Sequence, residues 1–177
     1  MNKIKIRNYQ IFSTIFVFVL GTLLHFVYDW SGQNQIIGSF SAVNESTWEH
    51  LKLIFFPMLI TIIIGFFYLG KTVPNFICSK TIGLLVSLAF TVIFFYTYTG
   101  ILGTNIAFID ISSFFIAVIL GEFLSYVLIV NNFKCNNKIA IIILSILFIL
   151  FIVFTYNPPR IGLFKDPVTG EYGDNYY

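Results

Sequence analysis

Five long apolar stretches constrain the fold of this chain more than any other feature of its sequence. They cover residues 11–28, 51–70, 82–102, 106–130 and 139–156. A helix crosses about 30 Å of hydrocarbon with about 20 residues, because it rises about 1.5 Å per residue. Membrane barrel strands are only about 10 residues long and alternate in polarity. The sequence therefore predicts an all-α integral membrane bundle of five transmembrane helices in residues 1–157, followed by a short tail in residues 158–177.

The composition excludes several classes of protein. Hydrophobic residues make up 58% of the 177 residues and charged residues only 10%, whereas soluble domains carry about 25% charged residues. The net charge of +2 is too small for a nucleic-acid-binding surface. The expected partner is the lipid bilayer, with no nucleic acid.

The lysines and arginines predict how the chain crosses the membrane, because cytoplasmic loops are enriched in both. With the N-terminus inside, seven cations fall on the cytoplasmic side and three fall outside, at Lys52, Arg160 and Lys165. The seven are Lys3, Lys5, Arg7, Lys71, Lys80, Lys134 and Lys138. We therefore expect a multi-pass cell-membrane protein with a cytoplasmic N-terminus and an extracytoplasmic tail.

Two further expectations follow from this orientation. Cys78 and Cys135 both fall on the reducing side, where disulfides are rare, so we expect them to stay unpaired. Trp30 and Trp48 both fall at the outer interface, which amphipathic rings prefer. We therefore expect both indoles to form part of an interfacial belt.

Polar residues are concentrated in residues 25–52, on the predicted outer side. His25 and Asp29 are four residues apart and share one face of the first helix. The second helix begins close to His50, and consecutive helices with a short connection are usually antiparallel neighbours. We therefore expect His25, Asp29 and His50 to approach one another near the membrane surface, with Glu45 and Glu49 close by.

Three interpretations of this polar segment remain open: a metal or catalytic site, a structural role, and an entry for a ligand or ion. In the functional one, His25, Asp29 and His50 bind zinc, and Glu49 or Glu45 is the catalytic base that activates water for attack on a lipid or other amphiphile. In the structural one, Ser46 and Glu49 form a capping box, and Lys52 pairs with Glu49 or extends outward. Whether the chain is an enzyme stays open at this point.

Glu122 is a second candidate, because it lies well within the fourth stretch. A charged carboxyl group at mid-span costs about 2.5–3.5 kcal/mol, so Glu122 should face the bundle and have a partner. Ser125 and Tyr126 follow at helical spacing and can donate hydrogen bonds to it, and Gly121 allows a neighbouring helix to approach closely. One interpretation is a transporter, or an ion- or ligand-binding subunit, that uses Glu122. The other is a non-catalytic scaffold or partner subunit.

The outer ends of the third and fourth stretches carry two more candidates. Tyr96 belongs to an aromatic and hydroxyl-rich segment, and Asp110 lies near the start of the fourth stretch. Both map to the predicted outer side. We expect them to line an outward-facing pocket together with the histidines.

Three segments resemble a family of small multi-pass bacterial membrane proteins classified as a domain of unknown function. They read HFVYDWSGQNQIIGSFSAVNESTWEHLKLIFFP, FFYTYTGILG and PPRIGLFKDPVTGEYG. The resemblance covers nearly the whole chain and implies a polytopic membrane protein. It implies no activity and supplies no catalytic residues.

Overall fold

The computed structural model describes residues 2–173 and consists almost entirely of helices. Five of its helices are long and apolar enough to cross a membrane, so the predicted all-α membrane bundle is confirmed. Within residues 2–173 no β-strand forms, apart from one isolated bridge between Lys165 and Tyr172. The helices in chain order are α1 (Lys3–Trp30), α2 (Gln35–Gly38), α3 (Thr47–Leu69), α4 (Phe76–Leu102), α5 (Ala107–Val130) and α6 (Asn137–Tyr156).

Two helices begin well before the apolar stretches that predicted them. α1 begins at Lys3 rather than at residue 11, and α4 begins at Phe76 rather than at residue 82. Helical hydrogen bonding does not require apolar side chains, and Asn2 caps α1 by accepting a bond from the Lys5 amide. As a result Lys80, which the sequence places in a loop, lies inside α4.

The backbones of α4 and α5 approach each other closely at Gly83 and Gly121. A Cβ atom added to Gly121 would lie 2.5 Å from the Gly83 carbonyl oxygen and 2.0 Å from Ser87 Oγ. Small residues at such a contact allow two backbones to approach closely. The expected close approach at Gly121 is confirmed, and the neighbouring helix is α4.

Trp48 lies in the core rather than at the interface. Its ring centroid is 4.6 Å from that of Phe151 on α6 and 4.8 Å from that of Phe164 in the tail. The tail folds back onto the bundle and covers the indole, so the expectation of an interfacial Trp48 is wrong. Trp30 is exposed and stacks on Phe26.

Cys78 and Cys135 form a disulfide, so the expectation that they stay unpaired is wrong. The side chain of Asn75 donates to the carbonyl oxygen of Phe133, and the side chain of Asn137 accepts from the Cys78 amide. These bonds bring the start of α4 against the connection between α5 and α6. The sequence does not reveal that these two connections are neighbours.

Charged residues separate toward the two ends of the bundle. Lys52 and Lys80, which the sequence assigns to opposite sides of the membrane, are both buried inside the bundle. Asp174, an acid of the tail that the sequence places on the outer side, lies outside the described residues. The cationic end carries Lys3, Lys5, Arg7, Lys71, Lys134 and Lys138, and the acidic end carries Asp29, Glu45, Asp110, Asp166 and Glu171 together with Arg160 and Lys165.

Candidate functional site

Two histidines from different helices meet at the acidic end. His25 lies in the last two turns of α1, and His50 lies in the first turn of α3. Their ring centroids are 5.3 Å apart. Ser46 fixes the start of α3 as its N-cap, because its hydroxyl accepts a bond of 3.3 Å from the Glu49 amide. This cap sets the direction in which the His50 ring leaves the helix.

The carboxylate of Glu45 lies between the two imidazole rings. Its Oε1 is 3.9 Å from His25 Nε2, and its Oε2 is 3.4 Å from His50 Nε2. One ligand atom from each residue lies within 4.8 Å of the others. We call His25, Glu45 and His50 the histidine cluster. The hydrogen bond to His50 lowers the pKa of Glu45 below its ordinary 4.5, so this carboxylate is charged at neutral pH.

The backbone orients the His50 ring. His50 Nδ1 lies 2.9 Å from the Ser46 carbonyl oxygen, and a carbonyl can only accept, so Nδ1 carries a proton. Nε2 therefore points at Glu45, where a proton or a metal ion can lie between the nitrogen and the carboxylate. Histidines that bind metals commonly donate their other ring N–H to a backbone carbonyl in this way.

A cavity of about 370 Å³ lies beside the histidine cluster. This volume falls within the range of about 300–1,000 Å³ that is typical of small-molecule sites. The cavity is lined by α1, α3, α4, α5 and the tail residues Pro167 and Val168. Two of its lining residues, Phe26 and Ile111, are 44% and 59% exposed. The cavity wall therefore reaches the lipid-facing surface of the bundle.

Asp110 supplies a second carboxylate to the lining of the same cavity. The Tyr98 hydroxyl donates to Asp110 Oδ1, and the Asn105 amide lies 3.4 Å from Oδ2. Two other residues proposed from the sequence lie elsewhere. Asp29 is exposed and outside the histidine cluster, and Tyr96 is exposed and does not line the cavity.

Glu49 points away from the histidines into the bundle. Lys52 Nζ lies 2.5 Å from Glu49 Oε2, and both side chains are buried. Glu49 also accepts from the Val43 amide at 3.1 Å and from the Thr155 hydroxyl at 3.2 Å. Lys52 donates to the Gly38 carbonyl oxygen as well. The pair therefore joins α3 to α2 and α6.

Glu122 has a charged partner that the sequence did not suggest. Lys80 Nζ lies 2.5 Å and 2.6 Å from its two carboxylate oxygens, and the Ser13 hydroxyl donates to it at 2.7 Å. Lys80 also donates to Gln10 at 3.2 Å. The expected donor Ser125 bonds its own helix instead. This buried ion pair joins α1, α4 and α5.

Comparisons with known proteins identify a family but no activity. A family model described as a family of unknown function (DUF6512) matches residues 1–174. No curated protein and no solved structure matches the chain. The resemblance to a domain-of-unknown-function family is thereby confirmed, and it covers both the helical bundle and the described tail.

Proposed function

The chain belongs to the family of unknown function DUF6512, and we propose that it is a membrane-embedded, metal-dependent enzyme that acts on a lipid or another amphiphile. His25, Glu45 and His50 are the proposed ligands of a zinc ion. One observation carries the proposal: three potential metal ligands from two helices and a loop converge beside a cavity.

The spacing of the cluster approaches that of a zinc site. Tetrahedral zinc with bonds of about 2.0–2.1 Å holds its ligand atoms about 3.3 Å apart. The His50–Glu45 separation is 3.4 Å, the His25–Glu45 separation to the other carboxylate oxygen is 3.9 Å, and one ligand atom from each residue lies within 4.8 Å of the others. All three side chains are 30–50% exposed, so a small side-chain movement can close the difference.

The number of ligands supports a catalytic rather than a structural metal. Catalytic zinc sites usually have three protein ligands and one open position, whereas structural sites have four. A bound zinc ion acts as a Lewis acid and activates water for attack on a polar bond of the substrate. Asp110 is proposed to accept a hydrogen bond from the substrate or the attacking water. Glu45 takes the ligand position that the sequence suggested for Asp29, because Glu45 faces both rings.

The surroundings of the cluster favour an amphiphilic substrate. Leu53 and Phe114 line the cavity together with the polar cluster, and Phe26 and Ile111 extend the lining to the lipid-facing surface. An apolar chain can remain against these side chains while the polar group of the substrate reaches His25 and His50. A soluble, fully polar substrate would leave this apolar surface unused.

Metal analysis of the purified protein tests the proposal. We expect close to one zinc ion per chain after zinc loading, and loss of that zinc in the double variant His25→Ala/His50→Ala and in Glu45→Gln. Asp29→Asn is the matched control, because it removes a nearby exposed carboxylate outside the cluster, and it should keep the metal. A wild-type protein that stays metal-free, or a double variant that retains zinc, would refute the site.

Activity is tested separately with labelled ester, amide and phosphodiester lipids in detergent. Turnover should require zinc, disappear with a chelator and return when zinc is restored. Asp110→Asn should reduce turnover while keeping zinc. Zinc binding without turnover on any of these lipids would leave a metal-binding protein and remove the enzymatic part of the proposal.

We also propose that the N-terminus faces the cytoplasm. The cationic end carries six lysines and arginines. The acidic end carries two, Arg160 and Lys165, if Lys52 is left out because it is buried in a pair with Glu49. The Cys78–Cys135 disulfide also lies at this end, and because disulfides are rare in the cytosol, the orientation is tested independently of the cysteines. A reporter that is active only in the cytoplasm should be active when fused to the N-terminus. A fusion that is active only outside the cell would indicate the opposite orientation.

A further inference from the structure

A second groove lies at the cationic end, far from the histidine cluster. It has a volume of about 560 Å³ and lies between the start of α1 and the end of α3. His25 and Lys5 are separated by about 30 Å along α1, at about 1.5 Å per residue. The lining of the groove includes Asn2, Lys5, Asn8, Phe12, Ile64 and Tyr68.

Among the described residues 2–173, Lys5 is the only charged one that lines this groove. Its Nζ lies 4.1 Å from the centre of the Tyr68 ring and donates to the Tyr68 carbonyl oxygen at 3.4 Å. No carboxylate within residues 2–173 forms an ion pair with it. An ammonium group has three N–H donors, so Lys5 retains donors for a ligand.

The surroundings of the groove are positively charged. Residues 2–10, 66–80 and 126–138 form this end of the bundle and contain no aspartate or glutamate. Glu122, the acid next along α5, is already paired with Lys80. A negatively charged group is therefore attracted to this end, whereas a cationic group finds no carboxylate there.

The deeper part of the groove is apolar. Phe12 and Ile64 are 47% and 41% exposed on the lipid-facing side of α1 and α3. Lys5, Asn2 and Asn8 lie toward the helix end, where the bundle meets the membrane surface. The groove therefore presents a cation and amides to a headgroup and an apolar surface to an adjoining hydrocarbon chain.

We propose that this groove binds one anionic phospholipid, with its headgroup phosphate at Lys5 and an acyl chain along Phe12 and Ile64. Asn8 supplies a neutral hydrogen-bond donor beside the ammonium group. A zwitterionic lipid should bind more weakly, because the ammonium group of its headgroup finds no carboxylate at this end. The inference is independent of the proposed metal site and of the orientation of the chain.

Native mass spectrometry of the detergent-purified protein tests this site. Phosphatidylglycerol and phosphatidylcholine with the same acyl chains are added in turn, and the lipid retained per protein is counted. We expect preferential retention of phosphatidylglycerol. Lys5→Gln should weaken that retention about fivefold, which corresponds to the usual contribution of one lysine at an anionic membrane surface. Lys5→Arg should preserve it.

Lys134→Gln is the matched control, because Lys134 is an exposed cation at the same end that does not line the groove. It should leave retention nearly unchanged. Equal losses in Lys5→Gln and Lys134→Gln would mean diffuse surface attraction and would overturn the site, as would equal retention of the two lipids. If Lys5→Gln does not fold, Ile64→Trp fills the apolar part instead. Undiminished retention in that variant would also overturn the proposal.

Discussion

The Lys80–Glu122 pair and the histidine cluster both bring ionisable groups from distant parts of the chain together, but their surroundings differ. Lys80 and Glu122 are almost completely buried and are bonded further by Ser13 and Gln10. The side chains of the cluster are 30–50% exposed, and His25 Nδ1 has no hydrogen-bond partner within residues 2–173. In the first arrangement, which we call the saturated pair, the charged groups all have partners, and the pair stabilises the packing of the helices. The second retains capacity for a ligand.

The difference follows from access to water. Inside the bundle an unpaired charge has no solvent to stabilise it, so a buried pair must satisfy itself. Near the acidic end, a cavity and partial exposure allow water or a ligand to complete the hydrogen bonds of the cluster. The charged residues of this apolar chain therefore fall into two groups. In the buried pair every hydrogen-bonding group has a partner, and in the histidine cluster some groups remain available.

The largest expected effect comes from breaking the saturated pair. Glu122→Gln leaves the Lys80 ammonium in the interior without a carboxylate and should lower the free energy of unfolding by about 3–5 kcal/mol. The double variant Lys80→Met/Glu122→Leu removes both charges and should recover most of that loss. Reversible unfolding in mixed micelles measures both. A loss under about 1 kcal/mol in the single variant would show that this pair does not serve cohesion.

Breaking the second buried pair should cost less. Lys52→Met removes the ammonium group, but Glu49 keeps its bonds from the Val43 amide and the Thr155 hydroxyl. Glu49 also lies in the first turn of α3, where the helix dipole stabilises negative charge. We expect a loss of about 1.5–3 kcal/mol in the same unfolding measurement. Lys165→Met, at an exposed tail position, is the control and should be nearly neutral.

Separating α4 from α5 should also loosen the saturated pair. Gly121→Ala places a Cβ atom 2.0 Å from Ser87 Oγ and 2.5 Å from the Gly83 carbonyl oxygen, and such overpacking costs about 1–3 kcal/mol. Gly100→Ala is the control, because open space surrounds that position in α4. It should be neutral or slightly stabilising, since alanine favours a helix more than glycine does. Equal effects would rule out close packing as the cause.

The smallest effect on stability is expected in the histidine cluster. Glu45→Gln should change the free energy of unfolding of the metal-free protein by no more than about 0.5 kcal/mol, although we expect it to abolish the proposed zinc binding. The pKa of Glu45 is lowered by His50, so the contribution of its charge is present above pH 4.5 and disappears as the pH falls through the lowered pKa. Unfolding measured from pH 7 to pH 3 should show the two proteins converging. A large loss at pH 7 would make the cluster structural.

The sequence predicted the five long helices because apolar length alone demands them. It misassigned Lys80 because a charge just before an apolar stretch is indistinguishable from a loop residue until the true start of α4 is known. The need of Glu122 for a partner was predictable from its position, but Ser13 and Lys80 come from other helices. Which helices are neighbours is a property of the packed bundle and not of any one segment.

The candidate site was predictable to a similar degree. The approach of His25 to His50 follows from two neighbouring helices, α1 and α3, that residues 31–46 connect at one end of the bundle. The choice among the nearby acids depends on the loop before Ser46, which directs Glu45 toward the rings, whereas Glu49 points into the core. Glu45 and Glu49 are only four residues apart. The capping-box pattern in the sequence does not distinguish which of the two carboxylates faces the histidines. The position of Trp48 beneath the tail was likewise a result of long-range packing.

The pairing of Lys80 with Glu122 also bears on how the polypeptide enters the bilayer during synthesis. Residues 103–106 join α4 to α5 by a tight connection, so the two helices can partition into the lipid as one hairpin. Each charged residue alone would oppose insertion by about 2.5–3.5 kcal/mol. When α4 and α5 enter together, Lys80 and Glu122 compensate one another's charge. Because α1 is synthesised first, Gln10 and Ser13 can then complete the hydrogen bonds of the pair.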